Sequence, residues 1–253
     1  MGDAVRNRKG DAMTRVLIGI AAVIVLVVAV VLVRTMMVAA PPPLTAQPGP
    51  ISVNSMEIAR HLAAAIRFQT VSFGGGQHED AKDAQLDAMR AWLEQTYPAF
   101  HRVATREIVN KSLLFTWRGK NPNAAPILLM AHMDVVPVVP GTDKDWSHAP
   151  FSGDIADGFV WGRGAIDDKG CLITLLEAVE RLAQSGFTPE RTIMFAFGQD
   201  EEVGGNKGNG AIAKTLAARH VHFAWVLDEG GAILNEPFPG VQQPIAFVAV
   251  AEK

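Results

Sequence analysis

The stretch Pro126-Ile-Leu-Leu-Met-Ala-His132-Met-Asp134-Val-Val-Pro137 reads as a buried apolar strand whose exit projects an imidazole and a carboxylate from the same side. Side chains alternate along a strand, so positions i and i+2 share a face. His132 and Asp134 therefore point together beyond the strand's carboxyl end, the edge where open α/β sheets bind ligands. An imidazole beside a carboxylate suits a metal such as zinc, since the acid can orient the ring and raise its basicity.

Outward from this strand, the pattern alternates helices and strands. Ser55 is expected to cap a helix from Met56 to about Phe68, with Ile58, Leu62, Ala65 and Ile66 on its apolar side. A second helix is predicted from about Asp80 to Thr96. His101–Val109 and Leu113–Trp117 read as strands joined by an Asn110-Lys111 turn. A long loop runs from Pro137 to Gly164, followed by a helix over Cys171–Gln184 that ends at Ser185-Gly186. Arg191–Phe197 reads as a strand, about Gly210 to Ala218 as a helix, and Phe223–Leu227 and Pro244–Ala251 as strands. The order implies crossover connections, hence an α/β fold with a mostly parallel sheet and helices on both faces.

At the predicted strand ends and the loops after them lie four groups: His132 with Asp134, Asp167 with Asp168, Glu201 with Glu202, and Asp228 with Glu229. Carboxylates gathered at one sheet edge raise one another's pKa, and bound dications remove that penalty. Glycines 162, 164, 170, 204 and 205 flank these acids and permit tight turns. Composition narrows the chemistry further. The 253 residues carry a net charge of −3, and no long basic run occurs outside the amino terminus, so a nucleic-acid partner is not expected. The single cysteine, Cys171, excludes an intrachain disulfide framework. It is expected to pack as a small apolar residue at a helix start. His, Asp and Glu remain for metal chemistry.

The amino terminus reads as a separate unit. Val16 to Val33 is an uninterrupted, uncharged apolar run, about 27 Å long as a helix against a hydrocarbon core of roughly 30 Å. Arg6, Arg8, Lys9 and Arg15 precede it, and only Arg34 follows closely. The positive-inside rule then assigns residues 1–15 to a cytoplasmic tail, 16–38 to a transmembrane signal anchor, 39–52 to a Pro-rich linker, and 53–253 to an extracytoplasmic domain. A cleaved signal peptide is the competing reading. It usually has a shorter apolar region, and here its best small-residue site, Val38-Ala-Ala40, runs straight into Pro41.

Three motifs in order, Ala131-His-Met-Asp-Val-Val-Pro-Val138, Trp161-Gly-Arg-Gly-Ala-Ile-Asp-Asp-Lys-Gly170 and Gly198-Gln-Asp-Glu-Glu-Val-Gly-Gly205, resemble the zinc aminoacylase and carboxypeptidase S family of di-zinc metallopeptidases. The resemblance runs from about Met56 to Lys253. It implies two Zn2+ ions per complete site, sharing Asp167, with His132 on one ion and Glu202 on the other. Glu201 corresponds to the general base and Asp134 to the acid that supports His132. In Leu227-Asp-Glu-Gly-Gly231 the remaining ligand corresponds to Glu229, with Asp228 as the rival. The peptide joining Asp167 and Asp168 is expected to be cis. On an extended backbone Glu201 and Glu202 would point apart, one toward metal and one toward substrate.

The implied reaction is hydrolysis of an amide bond in a peptide or N-acyl amino acid, by a water activated between the two zincs and a glutamate base. A dipeptidase or a desuccinylase on the same fold is the alternative, as is an inactive truncated domain. Gln199 stands where close relatives often carry His. The family continues into a lid and dimerisation domain before a last zinc-binding histidine. The sequence is therefore expected to stop short of the lid and of the homodimer contact it provides. None of His61, His78, His101, His148, His220 or His222 has the context of that last ligand.

Overall fold

The computed structural model describes residues 2–37, 52–76, 78–236, 238, 240 and 242–247. The predicted linker falls almost entirely outside these residues, as do positions 248–251 of the last predicted strand. Two compact units are present, Met1–Ser52 and Val53–Lys253. Among its described residues the first holds one helix, α1 (Gly2–Met37). Its segment Met13–Met37 is 25 residues long with a mean hydropathy of 3.5, long and apolar enough to cross a membrane.

The second unit opens with α2 (Ser55–Arg67), which Asn54 rather than Ser55 caps: the Asn54 side chain accepts from the Glu57 N–H at 3.2 Å and donates to the Glu57 carboxylate at 3.0 Å. The side-chain amide one residue earlier meets an otherwise orphaned N–H of the first turn and also pairs with the Glu57 carboxylate. Next come α3 (Glu79–Thr96) and α4 (Pro98–Val103). The strand expected over His101–Val109 begins only at Thr105, because Pro98 starts a short helix that takes up the first residues. β1 (Thr105–Val109) and β2 (Ser112–Trp117) form a hairpin, turned at Asn110 and Lys111 with φ of 45° and 73°.

β3 (Ile127–His132) is the strand that defines the fold. The loop after it contains a small hairpin that sequence reading missed, β4 (Asp154–Ala156) with β5 (Phe159–Trp161). Its Asp157-Gly158 turn, both residues at positive φ, is the available signal. There follow α5 (Lys169–Gln184), β6 (Ile193–Gly198), α6 (Asn209–Ala218) and β7 (Trp225–Leu227). A separate ladder pairs β8 (Ala232–Leu234) with β9 (Ile245–Phe247). β8 was not anticipated.

The main sheet runs β1-β2-β6-β3-β7 and is mixed rather than mostly parallel. The β1–β2 hairpin joins antiparallel to β6, while β3 is parallel to both β6 and β7. The hairpin explains the correction, because a two-residue turn can only connect antiparallel strands. Alternation along β6 distributes the core between two faces. Phe195 and Phe197 pack on one face with Leu86, Met89 and Leu93 of α3, Phe100 of α4, and Leu172 and Leu176 of α5. Met194 and Ala196 pack on the other with Leu114, Leu128, and Ile212 and Leu216 of α6. Helices thus cover both faces, as expected. Parallel pairing sends β3, β6 and β7 out at one edge.

Candidate metal centre

That edge gathers the residues singled out by sequence. His132 ends β3, opposite Gly198 of β6, and is 1% exposed. Its Nδ1 lies 3.0 Å from the main-chain oxygen of Asp134. A carbonyl only accepts, so Nδ1 carries the proton. In the neutral ring Nε2 is then a bare lone pair. It faces Asp167 Oδ1 at 2.9 Å, Glu229 Oε1 at 3.4 Å and Glu201 Oε2 at 3.8 Å. Two sets of ligand atoms lie close enough to hold an ion: His132, Asp167 and Glu202, and His132, Glu201 and Glu229.

Asp134, fully buried, is the hub behind this cluster. Its carboxylate accepts from the Ser72 hydroxyl at 2.5 Å and from the N–H groups of Glu201 (3.1 Å) and Glu202 (3.3 Å). Burial opposes its ionisation, but the bonds from His132 and Ser72 outweigh that and hold the carboxyl below its usual range. Asp168 is also buried, and one of its oxygens accepts from the His132 N–H at 3.1 Å. The Asp167–Asp168 peptide is cis, as expected.

Glu201 and Glu202 sit in a single 3-10 turn, Glu201–Val203, and not on extended backbone. Successive side chains in such a turn diverge by roughly a third of a circle. The two carboxylates still separate, each entering a different ion-holding set. Glu202 Oε1 also accepts from the Val136 N–H at 3.2 Å. Of the two candidates after β7, Glu229 enters the cluster. Asp228 instead accepts from the Glu229 N–H at 2.9 Å.

The donor set fits a dication. Burial lowers the affinity of His132 for a proton, yet the hydrogen bond and charge of Asp134, with Glu229 and Asp168, push its pKa up to about 10. A proton between the ring and the acids is what the metal-free arrangement demands, and a cation supplies the same compensation. Burial, reinforced by the charges of Asp168, Asp167 and Glu201, pushes Glu229 up to about 7, and Glu202 is raised for similar reasons.

Two participants had no sequence signal. Ser72 and Lys82 meet the site only through distant partners. Lys169, fully buried, donates to the carbonyls of Ala65 (3.0 Å) and Phe68 (2.6 Å) at the end of α2, and burial pulls it down to about 7. Cys171 stands on the first turn of α5 as expected but is exposed, because Leu172 and Ile173 take the core-facing positions. Of the remaining histidines, His61 pairs with Glu177 and His148 stacks on Trp161. Neither belongs to an ion-holding set among the described residues.

Residues 128–246 match peptidase family M20/M25/M40. Over 205 residues the chain is 43% identical to a probable carboxypeptidase S-like 2 of Dictyostelium discoideum, covering 80% of this chain and 39% of that protein. Over 199 residues it is 39% identical to an N-fatty-acyl-amino acid synthase/hydrolase of Mus musculus, covering 78% and 38%. The solved structure of human carnosine dipeptidase 1 superposes with a TM-score of 0.59 at 20% identity, over 70% of this chain and 39% of that one, a likeness of fold. The chain spans about two fifths of the length of these curated relatives. Motifs and relatives agree on one class, a domain of the M20/M25/M40 peptidase type. Residues 128–246 belong to peptidase family M20/M25/M40.

Proposed function

We propose that the chain forms part of a membrane-anchored, zinc-dependent hydrolase that cleaves an amide bond to release a free amino acid, from a peptide or an N-acyl amino acid. One observation carries the reading: Nε2 of the buried histidine at the carboxyl end of β3 faces three carboxylates, from the loop before α5 and from the ends of β6 and β7. The substrate class is supported by relatives named as carboxypeptidase S-like and as an N-fatty-acyl-amino acid hydrolase. His132, Asp167, Glu202 and Glu229 would hold two zinc ions, with Asp167 shared. Bound zinc supplies Lewis acidity, making water easier to deprotonate and polarising a carbonyl. Glu201 takes a proton from water and passes it to the leaving amine. Asp134 holds the ring of His132 and the backbone of both glutamates.

The anchor is α1. Its 25-residue apolar segment gives about 37 Å of helix, enough to span the bilayer with some tilt. The preceding basic residues put residues 1–15 in the cytoplasm and the catalytic unit outside it. The deciding experiment is Glu201→Gln in the full-length protein. Zinc content should stay at the wild-type value while turnover falls by about 10²–10⁴-fold. Wild-type turnover would remove Glu201 as the base.

A further inference from the structure

Past the end of β3, the chain from Met133 to Val135 acquires a neighbour that belongs to no named strand. Val71 bridges Val135 in parallel. The Val135 N–H donates to the Thr70 carbonyl at 3.1 Å, and the Ser72 N–H donates to the Val135 carbonyl at 3.0 Å. The Thr70 hydroxyl donates to the Met133 carbonyl at 2.6 Å. This short pairing brings the buried Ser72 hydroxyl against Asp134 Oδ2 at 2.5 Å. Behind Ser72 lies Lys82 of α3, also buried, with Nζ 3.4 Å from Ser72 Oγ and 3.4 Å from the Gln199 carbonyl at the exit of β6.

The donor and acceptor inventory leaves one assignment. An ammonium has only protons to give, so Ser72 Oγ accepts from Lys82. An ionised carboxylate only accepts, so the single hydroxyl proton of Ser72 goes to Asp134. Asp134 in turn accepts from the N–H groups of Glu201 and Glu202. Lys82 thus fixes the Ser72 rotor, Ser72 fixes the Asp134 carboxylate plane, and Asp134 fixes the turn carrying both glutamates.

We infer that Ser72 and Lys82 are positioning residues for the reaction, acting through Asp134 on the placement of Glu201. The inference rests on the hydrolase reading of this centre. Neither side chain touches the ion-holding atoms, so their loss should act on turnover and leave metal loading intact. Groups standing behind metal ligands typically matter by about 10–100-fold.

The test uses the full-length, zinc-loaded protein with an N-acyl amino acid substrate. Ser72→Ala should lower kcat by about 10–100-fold, with KM within about threefold and zinc content unchanged. Ser72→Thr keeps the hydroxyl and should recover most of the loss. Lys82→Met should lower kcat to an intermediate value, since the rotor is freed but the hydroxyl remains. Wild-type kcat in both Ser72→Ala and Lys82→Met overturns the inference. So does equal loss in Ser72→Ala and Ser72→Thr, which would mark packing and not the hydroxyl. Should Ser72→Ala fail to fold, Lys82→Met alone decides, and wild-type kcat there overturns the relay. Failure of the hydrolase reading looks different: the zinc-loaded wild-type protein then shows no hydrolysis of the substrate at all, before any variant is compared.

Discussion

The main-chain carbonyl of Asp134 takes the Nδ1 proton of His132, which leaves Nε2 as the atom turned toward three acids. Truncation to His132→Ala should therefore lower bound zinc in full-length protein measured by atomic emission. Unchanged stoichiometry would remove His132 from the ligand set. Metal binding should also release protons in a pH-dependent way. His132, at about 10, is protonated in the metal-free protein throughout pH 6–8 and gives up one proton on binding. Glu229, at about 7, is mostly ionised at pH 8 and mostly protonated at pH 6, so it adds a second proton only as pH falls. Calorimetry of zinc binding in buffers of different ionisation enthalpy should show release increasing from pH 8 to pH 6; a flat profile would contradict the arrangement. The acids and His132 were readable in sequence because each motif holds its members within a few residues at a strand exit. Ser72 and Lys82 were not readable. Their partners are remote in the chain, and a lone serine or lysine carries no periodicity.

Elements succeed where local chemistry and packing agree. α5 was legible from its apolar spacing and from Gly186 at its end, where φ is 74°. β4 and β5, at three residues each, are too short to show alternation, and only their turn betrayed them. The last three residues of α4, 101–103, fall in the predicted strand because six residues cannot establish a helical period. The existence of α4 depends on a partner. The buried Glu180 of α5 accepts from the Ala99 and Phe100 N–H groups at 3.0 and 2.7 Å, pairing the free donors of the first turn of α4. Glu180→Ala leaves those donors unmet and should destabilise the protein by about 1–3 kcal/mol. Urea unfolding would measure it, and a change below about 0.3 kcal/mol would show that water replaces the cap. Zinc content should not change.

At the scale of the whole molecule, the two units make separable predictions. The full chain should fractionate with membranes and resist carbonate extraction, while a chain starting at Ile51 should lose that association; membrane recovery of the shortened chain would shift the anchor elsewhere. The parallel half of the sheet was legible because β3 is a continuous apolar run, as strands buried on both faces are. The antiparallel half was foreseen as a hairpin, but its attachment to β6 leaves no mark in composition. The placement of β3 between β6 and β7 has a further result. Both neighbours are encoded after it, so the strand bearing His132 emerges from the ribosome well before either pairing partner. Closing such long sequence separations slows folding. Nascent chains stalled before β6 has cleared the ribosome should be cut readily by protease around β3, and those stalled after β7 and Glu229 have cleared it should not. The candidate centre should therefore form late in synthesis, no earlier than the arrival of Glu229.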